Sequence, residues 1–220
     1  MHRLSSFVLA YHGCQRHVGE KLLAGEPFTP SENDYDWLGP GTYFWESNPR
    51  RALEWANLLH RRRRPAEPSE PFVVGAAIDP GFCLDLLTSN GLSAIKAAHE
   101  DFVYHLQMSK RPLPQNVGGD DLLLRHLDCA VLRHLHGIRS GSNLPAFDTV
   151  RGVFIEGAPI YPNSGFREKT HIQICVCNPD VVKGVFRVPQ RDLERPWPPS
   201  SSPTSSSPSS TPSGEYRGTK

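Results

Sequence analysis

Three short segments carry residue types that could recognise a sugar and a flat heterocycle. The first is Ala10-Tyr11-His12-Gly13-Cys14, which follows an apolar run and precedes a helical pattern. A histidine at a strand end can hydrogen-bond a sugar hydroxyl, and a glycine beside it lets a ligand approach the backbone closely. The second, Tyr35 to Trp45, holds five aromatic residues within eleven positions around the turn Gly39-Pro40-Gly41. Rings at the start of a strand make a stacking platform for a planar group. Trp55 falls twelve residues after Tyr43 on the next helical segment, where a second ring could close a sandwich. The third segment is Lys169 to Val176. As a strand, its period of two puts His171, Gln173 and Cys175 on one face. Gln173 is a polar intrusion into an otherwise apolar run. Taken singly, the segments also fit a structural turn, a core aromatic cluster and a mildly polar edge strand.

The elements that must position these residues are legible as patterns. Apolar runs rich in Val, Ile and aromatics predict strands at Phe7–Tyr11, Thr42–Trp45, Phe72–Ile78, Gly152–Glu156, His171–Val176 and Val181–Val188. Helical spacing appears at Val18–Ala24, Asn48–His60, 92–108 and 120–136. Asn48 is a plausible N-cap, with Pro49 in the first turn. The order predicts an α+β fold with helices against a split sheet.

Together and in this order, the three segments resemble the H-Y-E ADP-ribosyltransferases, the class of the poly(ADP-ribose) polymerase catalytic domain and the diphtheria-type toxins. The stretch Gly39–Trp55 is similar to the polymerases' Gly-x-Gly-Ile-Tyr-Phe-Ala segment, with about one residue inserted before the helical ring. Gln173–Val188 can be laid over the family's last strands without a gap. The resemblance covers roughly residues 7–188, is good only at the three segments, and leaves about 80–150 unmatched. It implies an ADP-ribosyltransferase-like split β-sheet with flanking helices, and NAD as substrate. His12 would hold the adenine-side ribose, and Gly13 the nicotinamide carboxamide through its backbone. Tyr43 would stack on nicotinamide with Trp55 on its other side, and Phe44 would join the cofactor-binding set. Gln173 would contact the nicotinamide ribose, so the implied catalytic set is His12, Tyr43 and Gln173.

Two departures matter. Gln173 stands where the family usually has its catalytic Glu, and an amide neither carries negative charge nor accepts a proton well. This favours single ADP-ribose transfer, slow NAD hydrolysis or a dead site over chain elongation. Glu168 or Glu156 could supply the missing carboxylate if the loop folds back. Ala52 stands where the polymerases have a nicotinamide-binding Ser, which is closer to the toxins. The expected activity is therefore mono-ADP-ribosyl transfer to a protein or nucleic-acid acceptor. The alternatives are a non-catalytic NAD-binding module and an NAD glycohydrolase. In the family the loop Gly157–Thr170 selects the acceptor. A toxin-like role would make an inhibitor protein a possible partner.

Composition bounds the rest. The chain has 220 residues, 38% hydrophobic and 21% charged, which suits one globular domain with a real core. A formal net charge of +1 supplies no global field towards nucleic acid or membrane. The run Arg61–Arg64 is read chiefly as a solvated helix end, with phosphate contact as the competing role. The five cysteines, odd in number and without a CxxC pair, argue against a disulfide framework or a zinc site and suit a reducing, cytoplasmic compartment. The ten histidines are scattered, and His134 and His136 would lie on different faces of a helix, so no metal is expected. No export signal or membrane span is read. From Pro196 to Ser213 nearly every residue is Pro, Ser or Thr. The expected division is a domain over 1–188 and a disordered tail over 189–220.

Overall fold

The computed structural model describes residues 7–62 and 70–194. The elements in chain order are β1 (Val8–Gln15), α1 (Arg16–Leu23), β2 (Thr42–Glu46), α2 (Pro49–Arg62), β3 (Pro71–Ile78), β4 (Cys83–Asp85), α3 (Ser89–Met108), β5 (Asn116–Val117), β6 (Leu124–Arg125), α4 (His126–Gly141), β7 (Thr149–Phe154), β8 (His171–Val176), β9 (Val182–Arg187) and α5 (Gln190–Glu194). Seven strands form one mixed sheet in the order β4-β7-β8-β2-β1-β3-β9, while β5 and β6 make a separate small hairpin. Only the β4–β7 pair is parallel. The molecule is thus α+β, with helices flanking a seven-stranded mixed sheet. Among the described residues, no helix is long and apolar enough to cross a membrane.

The sheet consists of two unequal halves. β1 pairs with β3 along its whole length, from Val8 opposite Ile78 to Gln15 opposite Pro71. By contrast, β1 and β2 pair at only two positions, Ala10 with Glu46 and Tyr11 with Trp45. Beyond Tyr11 the two strands part. Among the described residues this short ladder is the strand pairing between β4-β7-β8-β2 and β1-β3-β9, extended at one end by a bond from Ser47 N–H to the Leu9 carbonyl.

Register assigns the side chains to faces, because residues directly opposite one another share a face. Tyr11 and Gly13 of β1, Tyr43 and Trp45 of β2, Gln173 and Cys175 of β8 and Gly152 of β7 fall on one face. Helix α2 covers one part of it, where Ala52 packs with Trp45, Val73 and Val188. Helix α4 covers another part, where Leu132 packs with Val150, Cys175 and Leu38. The opposite face carries Ala10, His12, Phe44, Ala76, Ile174 and Val176. Phe28 and Val181 close over that apolar cluster.

On this second face Arg151 of β7 reaches across β8. Its Nε and one terminal nitrogen donate to both carboxylate oxygens of Glu46, at 2.6 and 2.9 Å. The other terminal nitrogen donates to Asp85 at 3.1 Å. One guanidinium thus ties three strands together, and its side chain is only 21% exposed. Replacing Arg151 with Met would leave two carboxylates facing each other without their cation. The expected loss is about 2 kcal/mol, between the values for exposed and buried pairs. Urea denaturation at neutral pH measures it, and an unchanged midpoint would contradict the tie.

Several elements differ from their sequence-based expectations. β1 runs four residues past Tyr11, so His12 and Gly13 lie inside a strand rather than at its end. The reason is the continuous ladder with β3. The strand expected at Gly152–Glu156 sits at Thr149–Phe154, in register with β8. Residues 120–125 form a turn and β6 instead of the start of a helix, and α4 begins at His126. The packed chain also continues past Val188, because α5 folds onto the region of α2 through Leu193. Residues 195–220, most of the expected tail, lie outside the described residues, as do Arg63, Arg64 and Glu67 of the basic run and its neighbourhood.

Candidate active site

The three chemistry-bearing segments become three adjacent strands, β8, β2 and β1. Their side chains do not all converge. His12 and Gln173 stand on opposite faces of the sheet.

His12 sits where β1 and β2 part. Its Nδ1 donates to the backbone carbonyl of Tyr43 at 2.9 Å. An imidazole thus bridges the strands where their ladder has stopped. The ring is wedged between Phe28 at 5.4 Å and Phe44 at 5.6 Å between centroids. Burial pushes its pKa down, against the smaller opposing effect of the Tyr43 carbonyl. The ring is therefore neutral, with Nε2 as an acceptor.

Gly13 is needed for a close approach. A Cβ there would lie 2.0 Å from the carbonyl oxygen of Ala52 on α2. The helix therefore already covers the spot above Gly13, and Ala52 and Ala56 are small enough to allow it.

Tyr43 is largely committed to structure. Its hydroxyl donates to the Gly39 carbonyl at 2.8 Å and accepts from Leu38 N–H at 3.0 Å. These bonds pin the turn in which Gly39 adopts φ +82°, a conformation suited to glycine. The ring packs against the cluster of Leu38, Val150 and Cys175, and burial pushes the phenol pKa well up. Phe44 is fully buried in the opposite-face core and has no surface for a ligand. Trp55 is 39% exposed on α2 and meets Trp45 at 6.0 Å, tilted by 43°.

Gln173 lies among aromatic rings that the sequence did not connect with it. Trp37 donates its indole N–H to Gln173 Oε1 at 2.6 Å. Trp37 can lie there because Gly152, opposite Gln173 on β7, has no side chain; a Cβ would meet the indole at 2.7 Å. On the other side Trp45 is directly opposite Gln173 on β2. Trp45 is 4% exposed, and its buried Nε1–H has no partner among the described residues. A buried donor of this kind is rare, and a ligand oxygen would satisfy it. His171 stacks on Phe154 at 5.7 Å and meets Trp45 at 6.2 Å. Trp37, Phe154, His171, Trp45 and Trp55 thus form a chain of rings beside Gln173. As expected from the period of two, His171, Gln173 and Cys175 do share a face.

Of the two carboxylates considered for this region, Glu156 is engaged. It accepts from Arg51 of α2 at 2.7 Å and pairs with Lys169 at 3.4 Å. Arg51 also pairs with Glu54. Glu168 contributes its backbone N–H to the Ala158 carbonyl within the connecting loop.

The histidines give the fold a pH dependence whose sign is fixed. Burial lowers the pKa of both His12 and His171 below the ordinary 6.5. The unfolded chain then binds more protons than the native one just below pH 6.5. Stability is complete above that value and falls as pH drops through the window down to the depressed pKa values. Each histidine contributes a slope of at most about 1.4 kcal/mol per pH unit. Denaturation followed across this range should show the loss, and His12→Gln should flatten it. A slope unaffected by either histidine would refute the assignment.

No protein-family model and no solved structure matches the chain. Among curated proteins it is similar to the uncharacterized protein MJ0359 of Methanocaldococcus jannaschii, 25% identical over 202 residues that span 84% of this chain and 87% of that protein. Coverage of that extent reaches into the middle stretch that the three segments leave unmatched. It brings no activity with it.

Proposed function

We propose that this protein binds NAD on the sheet face carrying Trp45 and Gln173 and acts as a mono-ADP-ribosyltransferase on a protein or nucleic-acid acceptor. One observation carries the reading: three segments far apart in sequence, which together resemble the ADP-ribosyltransferase motifs, lie side by side as β8, β2 and β1. The unpartnered Trp45 N–H beside Gln173 and the exposed ring of Trp55 support it.

In this reading the exposed ring of Trp55 takes the stacking role first expected of Tyr43, which instead holds the Gly39 turn, and buried Trp45 contributes its indole N–H. His12 acts from the seam between β1 and β2, where its bond to Tyr43 fixes the spacing of the two strands. Gln173, oriented by Trp37, meets the nicotinamide ribose. The C–N bond between ribose and nicotinamide breaks, and its electron pair leaves with the nicotinamide nitrogen. The acceptor's nucleophile forms the new bond to the ribose carbon and releases its proton to solvent. Positioning and electrostatics supply most of the acceleration.

Gln173 also favours a second reading. An amide at this position, with Glu156 tied to Arg51 and Lys169, suits an NAD-binding module. Incubation of the purified protein with labelled NAD and a cell extract separates the two. Nicotinamide release with label in a macromolecular fraction is expected for the transferase. Release without transferred label would mean hydrolysis, and binding without release would mean a binding module. Neither binding nor release would remove NAD from the proposal.

A further inference from the structure

A second constellation lies on α3 and α4, elements that contribute none of His12, Tyr43 or Gln173. Asp101 and His105 are four residues apart on α3 and so share a helix face. His134 of α4 faces them, with Nε2 2.6 Å from Asp101 Oδ2. His105 Nδ1 is 2.9 Å from the Asp101 backbone carbonyl oxygen and 3.4 Å from the same carboxylate oxygen, and the two imidazoles are 5.4 Å apart between centroids. One ligand atom from each of the three residues lies within 4.8 Å of the others. They line an open hollow of about 760 Å³ that also includes Phe102, Arg111 and Arg133.

We propose that Asp101, His105 and His134 form a binding site for a divalent transition-metal ion of the zinc class. Two imidazoles and one carboxylate are the donors such ions prefer, whereas magnesium and calcium favour all-oxygen sets. Tetrahedral bonds of about 2.0–2.1 Å place ligand atoms about 3.4 Å apart. The present separations bracket that spacing, and the 61% exposed His105 and 43% exposed Asp101 can adjust by side-chain rotation. Three protein ligands leave a fourth position for water or a substrate atom, the open pattern rather than the closed structural one. The ion would also clamp α3 to α4. Arg111 and Arg133 on the same rim oppose a second cation, so one ion per chain is expected. Arg133 keeps its charge but is held by other partners, donating to the Glu32 carbonyl at 3.0 Å and to Cys129 at 3.4 Å.

Cobalt(II) is the probe of choice, added to the full chain after chelator treatment. The expected result is one cobalt per chain, visible d–d bands and no sulfur-to-cobalt charge-transfer band. Zinc should displace the cobalt, magnesium should not, and zinc should raise the melting temperature. His105→Ala, at an exposed position where folding is safe, and His134→Gln should each weaken binding at least about tenfold. Absence of bound cobalt, a thiolate band, displacement by magnesium, or unchanged binding in both variants would each overturn the site. None of these readouts depends on NAD turnover.

Discussion

Gly13→Ala is expected to be strongly damaging, although it adds only one methyl group. The new Cβ would sit 2.0 Å from the Ala52 carbonyl oxygen, 2.9 Å from its carbon and 3.2 Å from the Ala56 nitrogen. All three are backbone atoms of α2, so no side chain can rotate away to make room. The helix must lift from the sheet, and Ala52, Trp45, Val73 and Val188 would lose their packing with it. Overpacking typically costs 1–3 kcal/mol, and a clash with rigid backbone belongs at about 3 or more. For a chain of this size the melting temperature should fall by roughly 10 °C. Gly184→Ala is the control, since a Cβ there meets nothing within 4 Å. If Gly13→Ala melts with the control, α2 does not dock on β1 as described.

Gln173 should respond in both directions. In the proposed NAD reaction, Gln173→Glu would place a carboxylate where positive charge develops on the ribose, and the Trp37 N–H that now bonds the amide oxygen would favour its ionised form. NAD cleavage should rise at least about tenfold, equivalent to about 1.4 kcal/mol of transition-state stabilisation. Gln173→Ala should lower it by a similar factor while removing one hydrogen bond from Trp37. The assay is nicotinamide release at saturating NAD, with the melting temperature as a folding check. Two variants that fold normally and release nicotinamide at the original rate would remove Gln173 from the chemistry.

Much of the sheet can be read from the chain because its strands are apolar runs punctuated by Gly, Pro and Asn. β2, β3 and β8 fall within a residue of their sequence-based limits for that reason. The elements that escape are too short to have a period: β4 has three residues, and β5 and β6 have two each. The extension of β1 to Gln15 depends on β3, a partner the local sequence does not announce. The same limit governs the site. Alternation within β8 places His171 and Gln173 together, but whether His12 shares their face depends on register across two other strands. Trp37 and Gly152 illustrate this further, since an indole lies beside Gln173 only because a residue from a third segment lacks a side chain. Likewise, sequence spacing sets His134 beside His136, while its actual neighbours come from a separate helix. Asp101 and His105, four apart in a helical stretch, were the available signal.

The two-position ladder between β1 and β2 has a mechanical consequence. A sheet zipped fully along every other long edge and barely at this one is a plate with a notch. Force applied across it concentrates at the notch, and Ala10, Tyr11 and the His12 imidazole bear the load. Pulled at its outer strands, the molecule should open first between β1 and β2, and α2, packed on Trp45 of one half and Val73 of the other, must then peel from one of them. The crack would open along the line where the motif-bearing strands meet.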